Sequence, residues 1–338
     1  EPPPWGGAPP WFRLSRPASR GSTPALTPPS RGASPGDADA PPIPPWTALA
    51  VAVAAIAWAA PLVRLATAPA LAVSAWRLLF SMAFIGGVLV LRRGPGLPRL
   101  APREWGLAVA AGLMLAGHFW SWIASVDLTT VASAVVLVSL QPFIVALLSA
   151  VFLAERPTRL QWAGIGVAVA GAAVVGWGDL ALGGTALLGD ALAFLAAWLV
   201  SGYYIVGRRL RRTLDLWSYV AVVYGVAAVA LTGAVAVSPG VPFTGYPRGD
   251  WLVFLALAAG PMMLGHTGVN YAIRYVPAYV ANLAILGEPL LATVIAWALP
   301  AIREVPPART LAGAVLILGG IALGSGWLEG GRGRDAPS

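Results

Sequence analysis

Glu288 is the single charged residue in the stretch "AILGEPLLATVIAW" (284–297). A carboxylate among apolar neighbours can take and release a proton, hold a cationic group, or pair with an arginine and fix the packing of a helix. In a transmembrane helix such a residue costs roughly 2.5–3.5 kcal/mol on insertion scales, so acids there are rare and usually serve a function. Pro289 follows it, and Pro142 likewise follows Gln141 in "SLQPFIVALL". Proline withdraws the helix hydrogen bond to the residue four before it, which frees the carbonyls of Ile285 and Val138. A membrane tolerates freed carbonyls only where they face protein or a water-filled cavity. Glu288 and Gln141 are therefore expected beside helix breaks on a cavity wall, with Glu288 as a proton-coupling group. The competing reading is a protonated or paired glutamate that ties helices together, and the uncharged Gln141 at the matching position speaks for it.

Other candidates are sparse. Arg77 lies within the apolar run "AWRLLFSMAF". Its planar fork could clamp a carboxylate, or it could snorkel to headgroups or pair with Asp127 or Asp190. His118, Ser121, Trp122 and Ser125 follow i, i+3, i+4, i+7 spacing and share one helix face, as do His266 and Asn270. A polar stripe on a membrane helix faces the bundle interior, where the two histidines either line a pathway or are simply hydrogen-bonded. No acid or thiol stands at ligand spacing from them, so no metal site is expected. Tyr204 and Asn282, with Trp198, Ser201 and Tyr203, are further cavity candidates. Glu155 and Glu304 follow two matching apolar runs and are expected to cap the next helix or pair with nearby arginines, stabilising their own half. Ala163, Gly164, Gly166, Ala170 and Gly171, like Gly313, Gly320 and Gly324, allow close backbone approach, inside the fold or at a homodimer face.

The elements that carry these residues are membrane helices. The chain is 58% hydrophobic and 11% charged, with mean hydropathy +0.74, far below the ~25% charge of soluble domains. Ten apolar runs follow Trp46, at 46–66, 70–91, 105–126, 130–152, 160–177, 187–207, 216–237, 251–273, 277–299 and 309–327. Each approaches or exceeds the length needed to span a bilayer. With the N-terminus inside, seventeen arginines, Arg92, Arg208 and Arg274 among them, fall on the inner side. Only Arg64, Arg248, Arg303 and Arg309 fall outside. That bias places both termini in the cytoplasm. A net charge of +8 carried by such loop arginines is an orientation signal, and nucleic acid is not expected as a partner. Cys is absent, which removes thiol chemistry. The sequence has no P-loop, and "GWGDLALGG" (176–184) does not follow a strand, so no nucleotide cofactor is expected.

Residues 1–45 hold 14 of the 31 prolines and no apolar periodicity, and read as a disordered cytoplasmic tail. Residues 329–338 read as a second, short tail. Between them the two halves, 46–178 and 186–328, resemble each other. Gln141-Pro142 aligns with Glu288-Pro289, Glu155 with Glu304, Gly164 with Gly313 and Gly171 with Gly320, while His118 and His266 are 148 residues apart. Five spans per half is an odd number, so the second copy must be inverted. Inverted repeats are the architecture of alternating-access proteins whose site lies at the midplane.

Trp58 and Arg64, "AWRLLFSMAF", "QPFIVALLSAVFLAER", "GDALAFLAAW" (189–198), "YAIRYVPA" (271–278) and "EPLLATVIAW" together resemble the EamA-type branch of the drug/metabolite transporter superfamily over residues 50–327. The resemblance implies an all-α protein of ten transmembrane helices in a bacterial inner membrane. It also implies secondary transport of a small-molecule substrate, often export of amino acids or related compounds, with proton coupling as one energy source. The alternative class is a membrane-embedded enzyme or lipid-handling protein using the buried Glu and His residues. The topology has a direct check. Tags in loops 92–104 and 208–215 should report the inside and tags in 240–250 the outside. Access to 208–215 from the outside would refute both the orientation and the inverted repeat.

Overall fold

A computed structural model describes residues 41–92, 100–128, 131–153, 155, 157–176, 185–303 and 308–324. Most of the N-terminal tail, the C-terminal tail, the 177–184 stretch and Glu304 lie outside the described residues. The described chain from Pro41 onward forms one unit, and its described residues are helical without a strand. In hydrocarbon every backbone N–H and C=O must be satisfied within its own segment, and an Ala-, Leu- and Val-rich chain does this as helices.

The helices are α1 (Pro45–Ile56), α2 (Ala59–Arg64), α3 (Ala70–Leu91), α4 (Pro102–Leu128), α5 (Val131–Val138), α6 (Gln141–Phe152), α7 (Arg159–Gly176), α8 (Thr185–Leu210) and α9 (Leu216–Val237). They continue with α10 (Arg248–Leu257), a π-helical segment (Ala258–His266), α11 (Thr267–Ala272), α12 (Ala278–Ile285), α13 (Glu288–Ala298) and α14 (Ala308–Gly324). Seven stretches are long and apolar enough to cross a membrane: 45–64, 70–91, 102–128, 187–210, 216–237, 248–272 and 278–298. Gln141–Phe152 and Leu311–Gly324 are shorter apolar helices.

Three of these long stretches and the α5–α6 run are interrupted, and each interruption lies at a proline. Pro61 follows the turn at Ala57–Trp58 between α1 and α2, and Pro142 follows the turn at Ser139–Leu140. Pro289 follows the turn at Leu286–Gly287, and Pro261 lies inside the π-helical segment. The missing N–H leaves one carbonyl without its partner, and the chain answers with a turn or a wider loop. In the π-helical region Thr267 Oγ1 donates to the Met262 carbonyl at 3.1 Å, beside the backbone N–H of Thr267.

Packing follows the two-fold relation expected from the repeat. α4 packs along α8, and the equivalent pair, α1 with the π-helical segment and α11, packs likewise. The clearest case is α7 against α14. A Cβ on Gly164 would lie 2.5 Å from Gly324 N and 2.7 Å from Gly320 O, while one on Gly171 would lie 2.8 Å from Gly313 O. Gly164 is the counterpart of Gly313 and Gly171 of Gly320. First-repeat Gly164 thus meets second-repeat Gly320, and Gly171 meets Gly313. This reciprocal pairing is that of two like surfaces about a two-fold axis, with the helices antiparallel. Gly164, Gly171, Gly313, Gly320 and Gly324 therefore pack within the fold, while Ala163, Gly166 and Ala170 are exposed.

A second core gathers Tyr203, Tyr204, Tyr219 and Tyr224 with Phe119, all fully buried. Outward positions such as Leu252, Val229, Leu311, Val315 and Leu318 are exposed and apolar, as a lipid-facing surface requires. Asp215 caps α9, its Oδ1 accepting from Trp217 N at 3.0 Å and Ser218 N at 3.2 Å.

The glycine seam is testable. Gly164→Ala and Gly320→Ala place a methyl against backbone that has no rotamer to yield, and should destabilise by about 1–3 kcal/mol. Gly166→Ala points into open space and should be silent. Thermal unfolding of the purified protein in detergent reads both. Equal melting temperatures for Gly164→Ala and Gly166→Ala would refute the seam.

Candidate functional site

The broken helices meet at one place. Ile56 and Ala59 flank the first break, Val138, Ser139, Gln141 and Pro142 the second, and Ile285, Leu286 and Glu288 the third. All of them line a central cavity together with Arg77, His118, Phe119, Trp122, Tyr204 and His266. Val138 and Ile285, whose carbonyls the prolines free, thus lie on the cavity wall. The enclosed space is about 40 Å³. That is room for a few waters at ~10–15 Å³ each, far below the ~300–1,000 Å³ of a pocket for a drug-sized ligand.

Arg77 of α3 is 1% exposed, so it does not snorkel. Its guanidinium carbon sits 4.0 Å from the centroid of the Phe119 ring, a cation–π contact that covers one face of the fork. Its Nε and Nη2 are buried without a hydrogen-bond partner. Donors of an ionised group left unmatched in a membrane interior are costly, and each asks for an acceptor. Glu288, the first residue of α13, is 8% exposed and lies on the same wall. Among the described residues Arg77 and Glu288 form no ion pair.

The two histidines face each other, ring centroids 6.0 Å apart. His118 Nδ1 lies 3.0 Å from the Ala196 carbonyl, where it can only donate. His266 Nδ1 lies 3.2 Å from Tyr204 Oη. The π-helical segment ends at His266, so the wider turn sets the register at which that ring enters the cavity.

Gln141 Nε2 donates to Asn282 Oδ1, and Asn282 Nδ2 donates to Ala278 O at 2.8 Å. Asn282 thus stands behind Gln141 instead of on the wall. Asn270 stands behind His266, its Nδ2 donating to His266 O at 2.8 Å and to the Tyr203 and Tyr224 hydroxyls. Ser121 and Ser125 are buried but spend their hydroxyls on their own helix, on Gly117 O and Trp122 O at 2.7 Å each. Of the polar stripe on α4, only His118 and Trp122 reach the cavity. Trp198 is 42% exposed on the outer surface. Spacing alone does not single out Phe119 or Ser139. Phe119 belongs to the site through Arg77, and Ser139 through the turn that Pro142 imposes.

Two sets of polar contacts join the two halves of the chain near opposite ends of α3 and α8. At the arginine-rich end Glu155 accepts from Arg208 Nε at 2.8 Å and from Arg212 at 3.1 Å. Arg208 Nη1 donates onward to Ile273 O at 2.6 Å and Arg274 O at 2.8 Å. Glu155 was expected to brace its own half. Its partners belong to the other half, because α8 packs against α6 and ends beside it. At the opposite end Asp250 accepts from Thr67 N and Thr67 Oγ1, both at 2.8 Å. There Trp76 packs on Phe243 and Trp251, with ring centroids 4.8 and 4.6 Å apart. The contact at the arginine-rich end is ionic, and the one at the opposite end is a neutral donor pair on a carboxylate beside an aromatic cluster.

Comparison with known proteins agrees with this duplicated arrangement. The profile of the EamA-like transporter family matches residues 44–177 and again 187–325. A crystal structure of a protein 20% identical in sequence superposes with a TM-score of 0.69, covering 83% of this chain and 96% of its own, which bears on the fold alone. No curated protein matches the sequence. Two matches in one chain, covering most of it, decide the matter: this multi-pass membrane protein belongs to the EamA-like transporter family.

Proposed function

We propose that the chain is a ten-span secondary transporter of a small metabolite in the bacterial inner membrane, working by alternating access, with both termini in the cytoplasm. The repeats run over 46–178 and 186–328, between cytoplasmic tails at 1–45 and 329–338. In this reading the seven long apolar stretches are joined by α5–α6, α7 and α14. The arginine-rich end, where Arg92, Glu155, Arg208 and Arg274 lie, faces the cytoplasm by the positive-inside rule.

One observation carries the proposal. A small cavity lined by ionisable side chains lies at the junction of broken helices, and polar contacts join the two repeats beyond it, just before α3 at Thr67 and in the last turn of α8 at Arg208. Discontinuous helices meeting at a repeat interface are where transporters bind substrate. A cavity of only about 40 Å³ fits a compact conformation, which must expand toward one side to load. Opening inward then requires the Glu155 contacts to part, and opening outward those of Asp250.

The absence of Cys makes this measurable, since one introduced cysteine is the only thiol. Ser139→Cys places the reporter on the cavity wall. Glu155→Gln should raise its labelling from the cytoplasmic side several-fold, and Asp250→Asn from the outside. Each lost interaction is a hydrogen bond to a charged group, worth about 1.5–3 kcal/mol. Unchanged sidedness in both variants would refute this role of the two contacts.

Glu288 is the proposed coupling group. A proton drives a cycle only if its carrier differs between the two open states. Glu288→Gln fixes the protonated shape, so pH-gradient-driven uptake in proteoliposomes should vanish while substrate exchange persists. Full gradient dependence in that variant would leave Glu288 a packing residue.

A further inference from the structure

From the unmatched Arg77 fork and the single acid opposite it, we infer that the central cavity takes an organic carboxylate on Arg77, and that Glu288 gains one proton as the carboxylate binds. The inference rests on the central cavity as the substrate site and names the chemical class of its occupant.

Arg77 offers Nε and Nη2 along one edge, both without acceptors, while Phe119 covers a face of the fork. An edge with two adjacent donors is the shape that a carboxylate fills bidentately. Two half-helices, α6 and α13, also begin on this wall at Gln141 and Glu288, and their first turns carry no side-chain cap. Helix N-termini favour negative charge, so they reinforce the preference that the buried guanidinium sets.

Charge balance then links the proton. The other titratable side chains facing Arg77 and Glu288 are His118 on α4, Tyr204 on α8 and His266 at the end of the π-helical segment, with Tyr224 of α9 behind. Of the elements packed against α13, α1 carries no charged residue, and the Arg64 of α2 lies exposed at the outer end. Arg77 and an ionised Glu288 are thus the two opposite charges at the centre. A carboxylate arriving on Arg77 beside an ionised Glu288 would leave two anions against one cation in a low-dielectric enclosure, which is heavily penalised. One proton moving from water to a Glu288 carboxylate oxygen restores neutrality. No bond other than that O–H forms or breaks. A zwitterion could instead place its ammonium on ionised Glu288 with no proton taken up. An amine would need Glu288 alone. The three classes are therefore distinguishable.

The test uses matched probes on the purified full chain in detergent: propionate and 3-phenylpropionate, their amides, the α-amino acids alanine and phenylalanine, and propylamine and phenethylamine. Thermal stabilisation ranks binding, and a weakly buffered solution records proton uptake. The carboxylates should bind and the amides and amines should not. About one proton should be taken up per carboxylate bound. Binding should tighten by up to about tenfold per pH unit on acidification, as one linked proton requires. Arg77→Lys keeps the charge without the fork and should weaken the carboxylates about tenfold or more, the loss of one hydrogen bond between charged groups. Glu288→Gln should retain carboxylate binding, now independent of pH and without proton uptake.

Amides binding as well as carboxylates, binding without proton uptake, preference for the amino acids or amines, or no binding by either carboxylate would each overturn the inference. The wild-type proton count needs no variant, so a misfolded Arg77 substitution does not weaken the test. Flux in proteoliposomes separates the two claims. Carboxylate binding without flux would count against transport and leave this site assignment standing. Flux of an amine through Arg77→Lys at the wild-type rate would refute this assignment and leave transport standing.

Discussion

A proline nitrogen carries no hydrogen, and in a bilayer that deficit cannot be made good by solvent. Pro61, Pro142, Pro261 and Pro289 each withdraw one donor from a membrane helix, and the fold is arranged so that the consequences fall in one place. Three turns and one π-helical segment bring Ile56, Ser139, Leu286 and His266 to the same cavity. The polar side chains that gather there do so because unbonded backbone is already there. Remove the breaks, and Glu288 and Gln141 become isolated polar residues in continuous helices.

Around this centre the rest of the bundle is close-packed and mostly featureless. Glycines at the α7–α14 contact let two backbones approach closely, and Tyr203, Tyr219 and Tyr224 pack in the core beyond the wall on which Tyr204 stands. The polar residues of this second layer, Asn270, Asn282, Ser121 and Ser125, bond to backbone, to Gln141 or to tyrosine hydroxyls and hold the wall in position. Rigid packing at the middle and weaker, polar contacts at the ends suit a molecule whose parts pivot about a seam.

Much of this arrangement is legible in the sequence. Pro142 and Pro289 announce helix breaks because each follows a polar residue in an apolar run, and the repeat offset pairs them. Pro61 and Pro261 obey the same rule, yet no acid or amide precedes them, so a reading that starts from ionisable groups passes over both. Helical spacing places Ser121 and Ser125 beside His118 and Trp122. It does not reveal that a serine hydroxyl satisfies itself on its own helix while an imidazole must reach outward. Glu155 shows a different limit. Its partners Arg208 and Arg212 lie more than fifty residues away, and only the packing of α8 against α6 brings them within reach. Arg77 shows a third. Sequence offers snorkelling, pairing or ligand binding, and only burial, with two donors left unmatched, removes the first of these.

The reciprocal glycine pairing carries one more consequence. A repeat unit meeting an antiparallel copy of itself at α7 and α14 could build the same seam from two separate chains, but every side chain would then occur twice about the axis. Joined in one polypeptide, the halves are free to diverge. Glu288 faces Gln141 across the pseudo-axis at an offset of 147 residues, and the same offset from Arg77 arrives at Tyr224. Covalent fusion is thus what allows a symmetric scaffold to carry an asymmetric centre, with one cation and one acid where two identical chains would be obliged to crowd two of each.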